Sequence, residues 1–327
     1  MTEHSSLPIA LTMGDPAGIG PEIVLKSLAS VERTSARSFV VYGCAQWLER
    51  LAVSLGISVD MRSIHHCVQV SRNFAIGKTS AEGGAAAVQA VRAAALDALA
   101  GKVRAVVTAP LNKEAMNLAG HHYPGHTELL AELAGDPPVR MMLANRELRT
   151  VLVSIHEPLR IAVSCLSKDR VLQTIQLTYR FLRRTGFQKP RIAVAGLNPH
   201  AGEGGLLGDE EIKIITPAIK MARAEGIDAS GPWPPDTVFM RARGFKEFDV
   251  VVAMYHDQGL IPVKYLGINE GVNLTVGLPF IRTSPDHGTA FDIAEQGTAD
   301  PASFLEAMTM ADQLSRAMCA DKNSDSC

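Results

Sequence analysis

Short apolar runs of strand length alternate along this chain with longer stretches of helical spacing. That alternation predicts an α/β fold with a mainly parallel sheet and helices on its faces. Strands are expected at Ile9–Met13, Phe39–Tyr42, Val103–Thr108, Arg149–Ile155, Arg191–Leu197 and Val250–Met254. Helices are expected at Ala85–Ala100, stopped by Gly101, and at Val171–Arg184, whose basic end precedes Gly186 as helix C-termini favour. Two more are expected at Glu210–Glu225 and Ala302–Met318. After the first strand comes GDPAGIGPE, where Pro21 suits a first helical position and Glu22 the positive helix end. It lacks the spacing of a dinucleotide or Walker loop, because Ile23 stands where a third glycine would be, and it reads as a tight strand-to-helix turn. Residues 65–78 carry no assignable pattern. The Gly/Pro clusters at 135–138 and 230–235 read as turns or hinges rather than domain boundaries, and the tail DKNSDSC reads as loose.

The strand ends carry the chemistry. Thr108, His156, Asn198-Pro199-His200 and Tyr255-His256-Asp257 each follow or close a predicted strand, and ligands of open α/β sheets bind at the carboxyl ends of strands. One such histidine is more often a hydrogen-bonding residue of the strand end. Three in the same context favour a divalent metal held by His156, His200 and His256. Such an ion would polarise a hydroxyl or carbonyl oxygen, with Asp236 and Asp257 as further ligands, supporting partners or the base. His126, Thr127, Lys264, Asn273 and Arg282 supply the compact cation, planar fork and neutral donors that a phosphate wants. Lys264 and Arg282 also interrupt apolar segments, which sets them apart from a solvated face. The Asp286-His287-Gly288-Thr289-Ala290 loop reads equally well as a close backbone approach to a ligand or as a plain turn. His65-His66 and His121-His122, without strand context, read as surface residues, and Trp47 and Trp233 as packing.

Composition narrows the class. The chain has 327 residues, 46% hydrophobic and 20% charged, with a formal net charge of −2, which favours a folded chain of two domains or one large unit. No basic patch of the kind that binds nucleic acid is present, and no apolar run reaches the ~20 residues of a membrane helix. The start, MTEHSSLP, lacks the order of a signal peptide, and the five scattered cysteines show no CxxC, a reduced, cytoplasmic pattern.

GDPAGIGPEI, YPGHTELLAE, GLNPHAGEGG, MYHDQGL and GLPFIRTSPDHGTAFDIA together resemble the signatures of the 4-hydroxythreonine-4-phosphate dehydrogenase family, from residue 9 to about residue 310. The last motif is also similar to the nucleotide loop of isopropylmalate and isocitrate dehydrogenases. The resemblance implies two α/β/α domains, here 1–124 with 276–327 and 125–275, an active site in the cleft between them, and a homodimer with shared sites. It assigns the metal (Zn, Mg, Mn or Co) to His156, His200 and His256, and substrate contacts to His126, Thr127, Lys264, Asn273 and Arg282. The loop carrying His287, Gly288, Thr289, Ala290 and Asp292 would face the adenine side of NAD or NADP. The implied reaction oxidises the secondary hydroxyl of 4-phosphohydroxy-L-threonine and then releases carbon dioxide, a step of pyridoxal phosphate synthesis. TAPLNKEAM and SIHEPL depart from the TGPVHK- and THLPL-like forms of some vitamin-pathway enzymes. TAPLNKEA also resembles a related branch acting on D-threonate or D-erythronate 4-phosphate in sugar-acid catabolism. A phosphate acyltransferase and a non-catalytic binder of phosphorylated metabolites are the competing classes.

Overall fold

The structure, a computed structural model, describes residues 7–35, 39–267 and 270–321. The chain divides into two compact units, Met1–Pro138 with Leu278–Cys319, and Val139–Gly277 with Ala320–Cys327. Strands and helices are numbered in chain order. In the first unit, β1 (Ile9–Thr12), β2 (Phe39–Gly43), β3 (Ile64–His66), β4 (Ala105–Thr108) and β11 (Ile281–Pro285) lie in the order β3-β2-β1-β4-β11. All four pairings are parallel, and β1, β4 and β11 are buried along their whole lengths, as strands covered on both faces must be. Their shared direction sends the exits of β1, β4 and β11 to one edge.

The helices of this unit are α1 (Gly20–Ser35), α2 (Ala45–Ser54), α3 (Ala81–Leu99), α4 (Lys113–Leu118), α5 (His126–Leu133) and all but the last two residues of α11 (Ala302–Asp321). Alanine, the best helix former, fills α3, and Ser80 caps it by accepting the Gly83 amide at 3.1 Å. The same small side chains let α3 run close against α4. Arg104, buried beside β4, holds α11 in place: it donates to Ser315 Oγ at 2.6 Å and pairs with Asp312.

In the second unit, β5 (Arg140–Ala144), β6 (Arg149–Leu152), β7 (Ile192–Ala195), β8 (Ala229–Trp233), β9 (Val250–Ala253) and β10 (Val272–Val276) lie in the order β10-β5-β6-β9-β7-β8. The β10–β5 and β5–β6 pairs are antiparallel, whereas β6, β9, β7 and β8 run parallel. With them go α6 (Leu159–Ser164), α7 (Lys168–Arg184), α8 (Thr216–Ala224), α9 (Val238–Ala242) and α10 (His256–Leu266). The amphipathic α7 starts at a Ser167 cap and buries Val171, Ile175, Leu177 and Leu182. Leu143, Leu152, Val251, Ala253, Leu260 and Val263 form the core under α10.

Several expectations need correction. The run at 230–235 is not a turn: Ala229–Trp233 is strand β8, tolerated with its proline because it is the outermost strand of its unit. The GDPP run at 135–138 does mark a boundary, since the first unit ends at Pro138. The units therefore divide at 138/139 and 277/278, not at 124/125 and 275/276, which moves His126 and Thr127 into the first unit. His65 and His66 lie in β3, though exposed, and the expected Glu210–Glu225 helix opens with a π turn, Glu211–Ile215. The tail DKNSDSC reaches past Asp321, and its remainder lies outside the described residues.

A Cβ at Gly84 would overlap the Ala115 backbone carbonyl of α4. Gly→Ala within a helix ordinarily gains about 1 kcal/mol, whereas forced overpacking costs about 1–3 kcal/mol and here works against backbone. Gly84→Ala is therefore expected to lower the unfolding free energy by about 1–3 kcal/mol in urea titrations, and a gain would refute the close packing.

Candidate active site

In the second unit the histidine-bearing segments leave neighbouring parallel strands. β6 pairs with β9 through Leu152↔Ala253, and β9 with β7 through Val252↔Val194, so the three chains emerge at the same edge. His156 follows β6, His256 opens α10 after β9, and His200 follows β7. The rings of His156 and His256 stand 5.8 Å apart, centroid to centroid, at 44°. Both line a pocket of about 280 Å³ with Ile155, Glu157, Tyr255 and Asp257. His256 Nδ1 is 2.7 Å from Asp257 Oδ1, which orients the imidazole and leaves Nε2 for a ligand. His200 sits exposed in the turn Pro199–Gly205, with left-handed backbone at φ 52°.

Among the described residues no group of three His, Cys, Asp or Glu side chains is disposed to hold a metal ion. The chain thus brings His156 and His256 together and leaves His200 on a separate turn. Two adjacent imidazoles, one oriented by a carboxylate, fit a divalent ion in their donor chemistry. Asp236, exposed ahead of α9, lies apart from the pocket lining.

Gln258 carried no signal in the sequence beyond its place in MYHDQGL. It is 8% exposed, its Oε1 accepts the Met254 amide at 2.6 Å, and its Nε2 donates to the Gly196 carbonyl at 2.7 Å. It therefore ties the exit of β9 to the exit of β7. Lys264 is half-buried on α10, and Asn273 on β10 has its Oδ1 buried without a hydrogen-bond partner.

The first unit holds the rest. Arg282 on β11 is 3% exposed, and its Nε and Nη2 both donate to Thr108 Oγ1 at the end of β4, at 3.2 and 2.7 Å. Burial pushes its guanidinium down to about 10, opposed by the Glu128 carboxylate, so it keeps its charge at neutral pH. His126 opens α5 with Nε2 enclosed and without a hydrogen-bond partner. Burial and then the Arg282 charge hold its pKa well below the usual histidine value, so the ring is neutral at pH 7. Thr127 follows it, half-buried.

Past β11, His287 and Gly288 are exposed, Thr289 is buried, Ala290 adopts φ 40°, and Asp292 is exposed. The Thr289 carbonyl accepts the Ile19 amide at 2.9 Å, which pins this loop to the GDPAGIGPE turn. In that turn Asp15 is fully buried, donates its amide to the Pro110 carbonyl at 2.9 Å, and accepts the Ala17 amide on Oδ1 at 2.9 Å. Its Oδ2 is enclosed without a partner, and burial raises its pKa to about 6.

A buried cation and a neutral histidine in one parallel unit, and paired imidazoles at strand exits in the other, are features of a mainly parallel α/β enzyme. The sequence model described as "Pyridoxal phosphate biosynthetic protein PdxA" matches residues 31–311, and the chain belongs to that family of oxidoreductases. It is 53% identical to the 4-hydroxythreonine-4-phosphate dehydrogenase of Beijerinckia indica, over 96% of each chain. It is 49% identical to the D-threonate 4-phosphate dehydrogenase of Pectobacterium atrosepticum, over 94% of this chain and 98% of that one. A crystal structure of a 4-hydroxythreonine-4-phosphate dehydrogenase from Klebsiella pneumoniae superposes with a TM-score of 0.87 at 46% identity, over 95% of this chain and all of that one. No described helix is long and apolar enough to cross a membrane.

Asp15 gives a pH signature. Its folded pKa is raised from 3.8 to about 6, so the stability it contributes is full below pH 3.8 and lost as pH rises through 6. At ~1.4 kcal/mol per unit the loss is on the order of 3 kcal/mol. Relative to wild type, Asp15→Asn should gain stability between pH 4 and pH 7 in parallel urea titrations; a pH-independent difference would show that the carboxyl is not desolvated.

Proposed function

We propose that this dehydrogenase, with a nicotinamide cofactor and a divalent metal ion, oxidises the secondary hydroxyl of a four-carbon, 4-phosphorylated hydroxy acid, whose 3-oxo product then loses carbon dioxide. The substrate we favour is 4-phosphohydroxy-L-threonine, on the supply route to pyridoxal phosphate. The observation that carries the reading is the pairing of His156 and His256 at adjacent strand exits in a chain of this family.

His156, His200 and His256 would hold the metal. When bound, it would supply positive charge that acidifies the alcohol and offsets the charge left as carbon dioxide departs, while NAD, set against the His287–Asp292 loop, would accept the hydride. Arg282 and Lys264 would bind the phosphate, the former as a buried planar guanidinium and the latter as a point charge. His126, neutral, offers a ring nitrogen to a substrate hydroxyl or phosphate oxygen, and Thr127 and Asn273 complete the polar contacts. Asp236 and Asp257 are the two candidates to take the alcohol proton, and of these Asp257 lines the pocket and is engaged with His256 Nδ1. We further infer a homodimer with shared sites, working in the cytoplasm.

A second reading, D-threonate or D-erythronate 4-phosphate as substrate, is favoured by TAPLNKEAM and by the 49% identical relative of that name.

Side-by-side NADH assays with 4-phosphohydroxy-L-threonine, D-threonate 4-phosphate and D-erythronate 4-phosphate separate the two readings. Turnover of the first at the highest kcat/KM is expected, and preference for either of the others would replace the favoured substrate. Chelator-treated protein should lose NADH production and regain it with a divalent ion; full activity without metal would sink the metal reading. Arg282→Ala should raise KM for the phosphorylated substrate by roughly tenfold to a hundredfold, from a lost charged hydrogen bond of about 1.5–3 kcal/mol, with a much smaller change for NAD. Equal loss for both would remove Arg282 from the phosphate site.

A further inference from the structure

Glu211 is 2% exposed at the head of the π turn Glu211–Ile215 that leads into α8, and nothing described so far uses it. Its Oε1 accepts the backbone amides of Leu197 and Asn198, each at 2.7 Å, and its Oε2 accepts Asn198 Nδ2 at 2.9 Å. Leu197 and Asn198 are the segment through which the chain passes from β7 to His200. From His200 to Gly204 the backbone then keeps positive φ throughout, at 52°, 54°, 82°, 45° and 66°. His200, Ala201 and Glu203 each carry a side chain into this region at a cost of roughly 1–2 kcal/mol per residue. Such a run persists only where its surroundings over-determine it.

Two neighbouring carboxylates supply those surroundings: Glu210 Oε2 also accepts Asn198 Nδ2, at 2.7 Å, but only Glu211 reaches the backbone amides. A Cβ at Gly202 would stand 2.7 Å from Glu211 Oε2, so the turn is folded down onto the acid itself. The π turn matters too, since single π turns inside helices re-aim a side chain and recur at functional sites.

We propose that Glu211 is a positioning residue: its buried carboxylate grips the amides of Leu197 and Asn198 and thereby fixes the left-handed turn that carries His200, the third of the imidazoles assigned above to the metal ion. The part concerning the ion rests on the metal reading above; the grip on the turn does not.

The test uses full-length wild type, Glu211→Gln, Glu211→Ala and, as a control in the same π turn, Ile212→Ala, whose side chain is exposed. Each metal-free protein is titrated with Co(II), followed by its visible absorption, and amide hydrogen exchange is measured over residues 197–205. Loss of a partner that orients a metal ligand typically weakens metal binding by roughly 10–100-fold. Glu211→Ala should therefore bind Co(II) at least about tenfold more weakly and exchange faster at Leu197 and Asn198. Glu211→Gln keeps an acceptor for the two amides but turns a donor towards Asn198 Nδ2, and should fall between; it also serves if the alanine variant does not fold. Ile212→Ala should match wild type. Wild-type affinity and absorption in both Glu211 variants would overturn the positioning role, and wild-type exchange at the two amides would overturn the grip. A wild type that binds no Co(II) would instead sink the metal reading, with amide exchange still deciding the grip.

Discussion

The parallel register of β6, β9 and β7 is the constraint on which the candidate metal site depends. Parallel strands end at a common edge, so pairing Leu152 with Ala253 and Val252 with Val194 delivers three chain segments to one place before any side chain acts. Gln258 then spans two of those exits with its carboxamide, taking one backbone amide and serving one backbone carbonyl. Both groups are buried, and an unpaired buried backbone group costs about 1–3 kcal/mol. The exits are thus held by more than their own strands.

What was legible in the sequence follows from the same physics. Strands such as Ile9–Thr12 and Val250–Ala253 are buried on both faces, read as unbroken apolar runs, and were found with their ends nearly right. The strands Val272–Val276 and Ile281–Pro285 were not, because Asn273, Thr275, Arg282 and Ser284 break the apolar pattern in segments that bury polar groups. β8 was hidden by its glycine and proline, which mark a turn almost anywhere except at an outer strand. The candidate histidines were visible as strand-end residues, whereas their supports were not. Glu211 falls in an expected helix, where a lone polar residue ordinarily faces water, and Gln258 in a stretch where no element is expected; only the fold reveals them as buried.

Around Arg282 and His126 burial is the largest influence on the charges. Arg282 keeps its charge although two of its donors converge on one threonine hydroxyl, and that charge helps to hold His126 neutral. A buried cation facing a neutral ring is arranged before any ligand arrives. An anion entering such a place meets donors that need no reorganisation, which is where preorganised sites gain over water.

The two buried carboxylates show how differently one functional group can be used. Asp15 receives a single backbone donor on Oδ1, so ionising it in place is costly and its pKa rises. Glu211 receives three donors from one short segment. An acceptor with so many partners is too costly to remove without leaving buried amides unpaired, so its position and that of the segment are fixed together. A neutral carboxamide suffices between β9 and β7, where the strands already define the geometry. The turn carrying His200 has no ladder to define it and runs through disfavoured backbone, and it is there that the chain places an acid.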